Sequence, residues 1–125
     1  MEPSIEELER RARANMLACL HELADMSFQD RVWVRGVGPE VSSFTEALCG
    51  LYDDSTLGDR LEEGTADGLV GPAAALQLES LLVQLKALPD LPDAELVELP
   101  EWADIRVAAA SAAAEVRRFE DTLAE

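Results

Sequence analysis

A chain of 125 residues, 48% of them hydrophobic, is one domain's worth and can bury a core without disulfide or metal staples. Aromatics are only 5%, so that core rests on Leu, Val and Ala, which favours close helix packing over a β-sandwich. Twenty-six acids against ten bases give a net charge of −16, which phosphate repels; this argues against nucleic acid and anionic membrane as partners.

The N-terminus, MEPSIEELERRAR, is charged where a secretory signal would be apolar, and no apolar run approaches the roughly 20 residues that span a bilayer. Cys19 and Cys49 stand alone, without a CxxC pair. A cytoplasmic protein with two reduced thiols is the simplest account, and one disulfide between them is the alternative. Nine of the ten bases are Arg, Lys86 is the tenth, and Ala occurs nineteen times, a usage that points to a high-GC bacterial source.

Ser4 to about Met26 reads as the first long helix. Ser4 and Glu7 form a capping-box pair, and Ile5, Leu8, Ala12, Met16, Cys19 and Leu23 follow helical steps. Glu6–Arg10, Glu7–Arg11 and Glu9–Arg13 are spaced as i,i+4 ion pairs on a solvated face. Ser27 to Glu40 is irregular. Its Val32-Trp33-Val34 has strand propensity but no second strand to pair with, and Gly36, Gly38 and Pro39 break regular structure. A loop with a short extended or helical piece is expected there, with Trp33 folded back as a core plug and Phe28 as a second candidate.

Ser43 with Glu46 caps a shorter helix over 43–53, whose apolar face is Phe44, Ala47, Leu48 and Leu51. Thr56 is placed to cap another over 56–63, stopped by Gly64, and Thr65 to Gly71 reads as a loop. Pro72 to Leu88 is the second long helix, with Ala74, Leu78, Leu81, Leu85 and Leu88 on one face. Leu76, Leu82 and Val83 widen its apolar stripe, so it is expected to be covered on more than one side at the centre of a bundle. A short helix over 93–99 follows. Pro100 opens the last long helix, 101–123, in which Trp102, Ile105, Ala109, Ala112, Val116, Phe119 and Leu123 recur at steps of 3 and 4. Its Ala-rich middle lets a bulky helix come close, and the Leu-rich helix 72–88 is the natural neighbour. The architecture expected is a single all-α domain, a bundle of three long and about three short helices.

Motifs of chemistry all fail on their own terms. His21-Glu22 begins like HExxH, but Asp25 stands where the second zinc ligand belongs and the chain has no other His. Asp53 to Gly64 resembles an EF-hand loop only superficially, since Leu57 occupies a ligand position and Gly64 replaces the bidentate Glu. Gly36-Val37-Gly38 lacks the third glycine and the Lys of a phosphate loop, and Cys49 has no nearby base. No catalytic residue, metal ligand or cofactor site is assigned. A carboxylate-only hydrolase on Asp53 and Asp54 is the least implausible enzyme, and a small-molecule pocket beside Trp33 and Trp102 is a further alternative.

Two acidic stretches remain. Asp53 to Asp67 carries six acids and one base, Arg60, and Asp90 to Asp104 carries six acids and no base. A solvated face accounts for either. As an anionic docking surface for a basic protein they would present Asp53, Asp54, Asp59, Glu62 and Glu63, and Asp93, Glu95, Glu98, Glu101 and Asp104 around Trp102. Binding would then weaken steeply with salt, and joint reversal of Glu95, Glu98 and Glu101 would abolish it.

In size and charge pattern the chain resembles the general type of small acidic bacterial immunity proteins. That resemblance implies a non-enzymatic protein that covers the active site of a basic nuclease toxin. The alternative reading is a homo-oligomeric structural or regulatory module, a homodimer for instance, held by the 102–123 stripe.

Overall fold

Ser4 accepts a hydrogen bond from the Glu7 amide at 3.1 Å and so starts α1 (Ile5–Ala24), the first element of a computed structural model that describes residues 2–124. Asp25 then leaves helical geometry and caps a single turn, α2 (Met26–Phe28), through a 3.1 Å bond from the Phe28 amide. The chain continues directly into a π-helical segment, Gln29–Val34. Val32-Trp33-Val34 is therefore helical, and the strand propensity of its side chains is overridden by the burial of Val32 and Trp33. Ser43 caps α3 (Phe44–Tyr52) by accepting from the Glu46 amide at 3.1 Å.

Next come α4 (Leu57–Glu63), α5 (Asp67–Val70), α6 (Pro72–Lys86), α7 (Asp93–Leu96) and α8 (Pro100–Ala124). No strand occurs among the described residues, and the fold is all-α. Two local expectations are corrected. Thr56 does not cap α4 with its side chain. It sits at φ 63°, a strained conformation for a β-branched residue, while the buried Ser55 hydroxyl accepts from the Leu57 amide at 3.4 Å and bonds back to the Leu51 carbonyl. The stretch 65–71 is not a loop either. It holds α5, a single helical turn that buries both Leu69 and Val70.

α8 lies against both α1 and α6, and α1 also packs on α3. Trp102, Ile105, Ala109, Ala112, Ala113 and Val116 are all buried, so the chain itself covers the stripe that would have held a second copy. Only its end, Leu123, is exposed. The expectation for α6 fails in the opposite direction. Ala74, Ala75, Leu78, Leu81 and Leu85 face the core, but Leu76 is 71% exposed and Val83 66%, so α6 is a wall of the bundle and not its centre. Ile5 and Leu8, expected inward on α1, are exposed as well.

Three aromatic rings pack together at Trp33 and Trp102, the place named as the alternative site for a small-molecule pocket. Trp33, Phe44 and Trp102 meet edge to face with centroids 5.7–6.3 Å apart. The indole of Trp102 donates to Gln29 Oε1 at 2.9 Å, and the Gln29 amide nitrogen donates to the carbonyls of Glu22 (2.7 Å) and Leu23 (2.8 Å). One buried glutamine thus ties α8 to the end of α1 with its polar atoms satisfied. Phe28 packs half-buried against this core.

Of the three ion pairs expected along α1, only Glu7–Arg11 forms, at 3.0 Å. Arg10 reaches back to Glu7 at 3.8 Å, and Glu9 pairs with Arg60 at 2.8 Å. Arg13 is not on a solvated face at all. It is 5% exposed, donates to Glu120 at 3.1 Å and to the Leu69 carbonyl at 3.0 Å, and lies 5.8 Å from the Phe119 ring centroid. It ties α1, α5 and α8 together.

Candidate partner-binding site

Seven of the ten bases of this protein are engaged in its own ion pairs. Arg10, Arg11, Arg13, Arg31, Arg35, Arg60 and Arg118 all sit in ion pairs, and their partners are Glu7, Glu120, Glu40, Asp30, Glu9 and Glu115. None of those acids belongs to either singled-out cluster. Asp53, Asp54, Asp59, Glu62, Glu63, Glu95, Glu98, Glu101 and Asp104 are all exposed, and none of them lies in an ion pair among the described residues. The excess negative charge is thus concentrated on the surface, uncompensated.

Two of the eleven candidates do not belong on that surface. Trp102 is 1% exposed and serves the aromatic core, so it cannot meet a partner. Asp93 is half-buried, and its carboxylate accepts from the Phe44 amide at 3.1 Å, which adds a second cap to the start of α3. Its role is to hold α7 to α3. Glu95, Glu98, Glu101 and Asp104 remain as an exposed ridge over α7 and the first turns of α8.

The first acidic stretch divides more informatively. Asp53, Asp59 and Glu62 line a cavity of about 500 Å³ between α4 and α6, together with Glu79, Lys86, Leu61, Leu82 and Val83. A second cavity of about 210 Å³, bordered by Asp67, Pro72, Ala75 and Leu76, shares Leu61 and Glu79 with the first. The two adjoin as one trench along α6. Its walls carry five carboxylates (Asp53, Asp59, Glu62, Asp67 and Glu79) against one ammonium, Lys86, and its apolar lining is Leu61, Ala75, Leu76, Leu82 and Val83. Asp54 faces another groove, beside Ile5, Leu8 and Arg11, and Glu63 borders neither part of the trench. Sequence reasoning missed Glu79, Leu76 and Val83 as members. Glu79 lies outside both acidic stretches, and the two apolar residues read as core.

Nucleophile chemistry is muted around this scaffold. Both cysteines are free, Cys19 buried and Cys49 half-buried. Burial, with Glu22 and Asp54 adding to it, pushes the Cys19 thiol up to about 11, and Cys49 moves the same way. Burial also raises Tyr52, whose hydroxyl donates to the Leu78 carbonyl at 2.8 Å. Glu22, next to His21, accepts from the Trp33 indole at 3.3 Å and the Ser42 hydroxyl at 2.5 Å, while His21 is exposed against Arg117. Among the described residues no three His, Cys, Asp or Glu side chains gather as a metal site, and no helix is long and apolar enough to cross a membrane.

A family model described as a domain of unknown function, DUF7945, matches residues 9–123. No curated protein and no solved structure matches the chain. The match runs from the first turns of α1 to the end of α8, and the chain belongs to the DUF7945 family.

Proposed function

We propose that this is a non-enzymatic binding protein whose acidic surface docks a basic protein partner, in the manner of the small acidic immunity proteins that neutralise basic toxins. The observation that carries the reading is the division of charge. Seven of the nine arginines are held in ion pairs with acids outside both acidic stretches, while nine singled-out carboxylates stay exposed and unpaired among the described residues. Like charges kept this close cost stability through self-repulsion, which a basic partner would relieve. The complementary field also speeds encounter and suppresses wrong partners.

The test is capture at low salt. Immobilised protein is exposed to lysate of its native host and eluted with a salt gradient. The reading expects a basic protein that leaves late in the gradient, is toxic when expressed alone, and is tolerated when this chain is co-expressed. A bound protein that is acidic, or whose retention ignores salt, would contradict it.

A further inference from the structure

The outer face of α6 has a regularity that no contact within the protein uses. Ala73, Leu76, Ser80, Val83 and Ala87 are all exposed and recur at steps of 3, 4, 3 and 4. This is the spacing of a seam by which one helix receives another, with Ser80 between the two bulky residues and Ala73 and Ala87 beyond them, so that a partner can come close. The seam is about 22 Å long, from fifteen residues at ~1.5 Å each. The acidic trench runs beside it, with Leu76 at one end and Val83 at the other.

Resting on the basic-partner reading, we propose that the partner presents an amphipathic helix with basic flanks, which lies along α6 with its apolar side on Leu76 and Val83 and its cationic side chains over Asp59, Glu62, Asp67 and Glu79. An extended peptide is a poor occupant, because the described residues offer no strand edge to satisfy its backbone. A second copy of this chain fits the seam but not the charge. It would bring a further −16 against the trench, and two bulky apolar side chains per copy fall short of the roughly 800 Å² per partner of a standard interface. A basic helix has the same small apolar contact, but five carboxylates against one Lys supply attraction where a second copy supplies repulsion.

The experiment uses the full chain and fluorescently labelled 18-residue peptides read by anisotropy at low salt. One peptide is a Lys/Arg-rich amphipathic helix with Leu and Ala at heptad a and d, and the second is its scramble of equal charge. The expected result is at least about tenfold tighter binding of the amphipathic peptide. Val83→Glu should weaken that binding about tenfold or more although it adds negative charge, and Glu62→Lys with Glu79→Lys should weaken it and flatten its salt dependence. Val83 is exposed, so a melting curve close to wild type will show that Val83→Glu leaves the fold intact. Equal binding of both peptides, unchanged by Val83→Glu, would overturn the helix-docking proposal and leave the basic-partner reading standing. Loss of binding only on reversal of Glu95, Glu98 and Glu101 would move the site to the ridge with the same consequence. Failure of both peptides to bind would overturn both readings. A dimer seen by light scattering and dissolved by Val83→Glu would assign the seam to a second copy instead.

Discussion

α8 and α6 carry apolar stripes of the same period, and the fold treats them differently. The α8 stripe from Trp102 to Val116 is buried by α1, α6 and the aromatic cluster. α6 carries two stripes. One faces the core through Leu78, Leu81 and Leu85, and the other, through Leu76 and Val83, meets only solvent and the acidic trench. Period states which residues share a helix face. It does not state whether anything lies against that face. The difference separates residues that hold the protein together from residues left free to bind something else.

The widest contrast comes from truncating one bulky residue on each helix. Trp102→Ala removes a buried indole, opens a cavity between Trp33 and Phe44 and strands Gln29 Oε1, for a loss of ~3–5 kcal/mol in chemical denaturation. Val83→Ala should change stability by no more than ~0.5 kcal/mol. Comparable losses at the two positions would break the comparison.

The joint between the helices offers a smaller effect. Gly71 caps α6 at φ 88°, and a Cβ there would stand 2.7 Å from Cδ1 of Phe119 on α8. Gly71→Ala therefore combines a left-handed backbone with a clash and should cost ~2–3 kcal/mol, read as a lowered melting temperature. Arg13→Met keeps the buried stem but removes the donor for the Leu69 carbonyl and the partner of Glu120, for ~1–3 kcal/mol by the same assay.

The smallest effect lies away from both helices. The paired hydrogen bonds from the Arg31 guanidinium, 2.9 Å each, hold the Glu40 carboxyl down at about 2. A depressed carboxyl contributes stability that is fully present above its unfolded value near 4.5 and is lost as pH falls toward 2. Loosening of the 35–43 loop should appear in that window, and an NMR titration of Glu40 with a midpoint near 4.5 would contradict the clamp.

Several parts of this fold were legible in the chain because they are local. The capping pairs at Ser4 and Ser43, the stop at Gly64, the α8 repeat and the inward Trp33 all follow from residues a few positions apart. What escaped is long-range. Arg13 reads as one more surface base until Glu120, 107 residues away, and the Leu69 carbonyl close over it. α5 has four residues and exists only because tertiary packing rewards burial of Leu69 and Val70. The candidate site was half legible. The acid-rich stretch 53–67 was visible as composition, but the trench needs α6 beside α4, and Glu79 joins it from outside either acidic run. Trp102 was misplaced because an aromatic flanked by acids in sequence need not share their surface.

The most direct test of the account is to map where a basic amphipathic helix touches the protein. Isotope-labelled protein titrated with the Lys/Arg-rich peptide should show amide shifts confined to Asp59–Glu62, Asp67 and the outer positions of α6, notably Leu76, Glu79, Ser80 and Val83, with the interior positions of α8 unmoved. Shifts centred on Glu95 to Asp104, or spread evenly over every acidic surface, would contradict the claim that the uncovered face of α6 is the binding face.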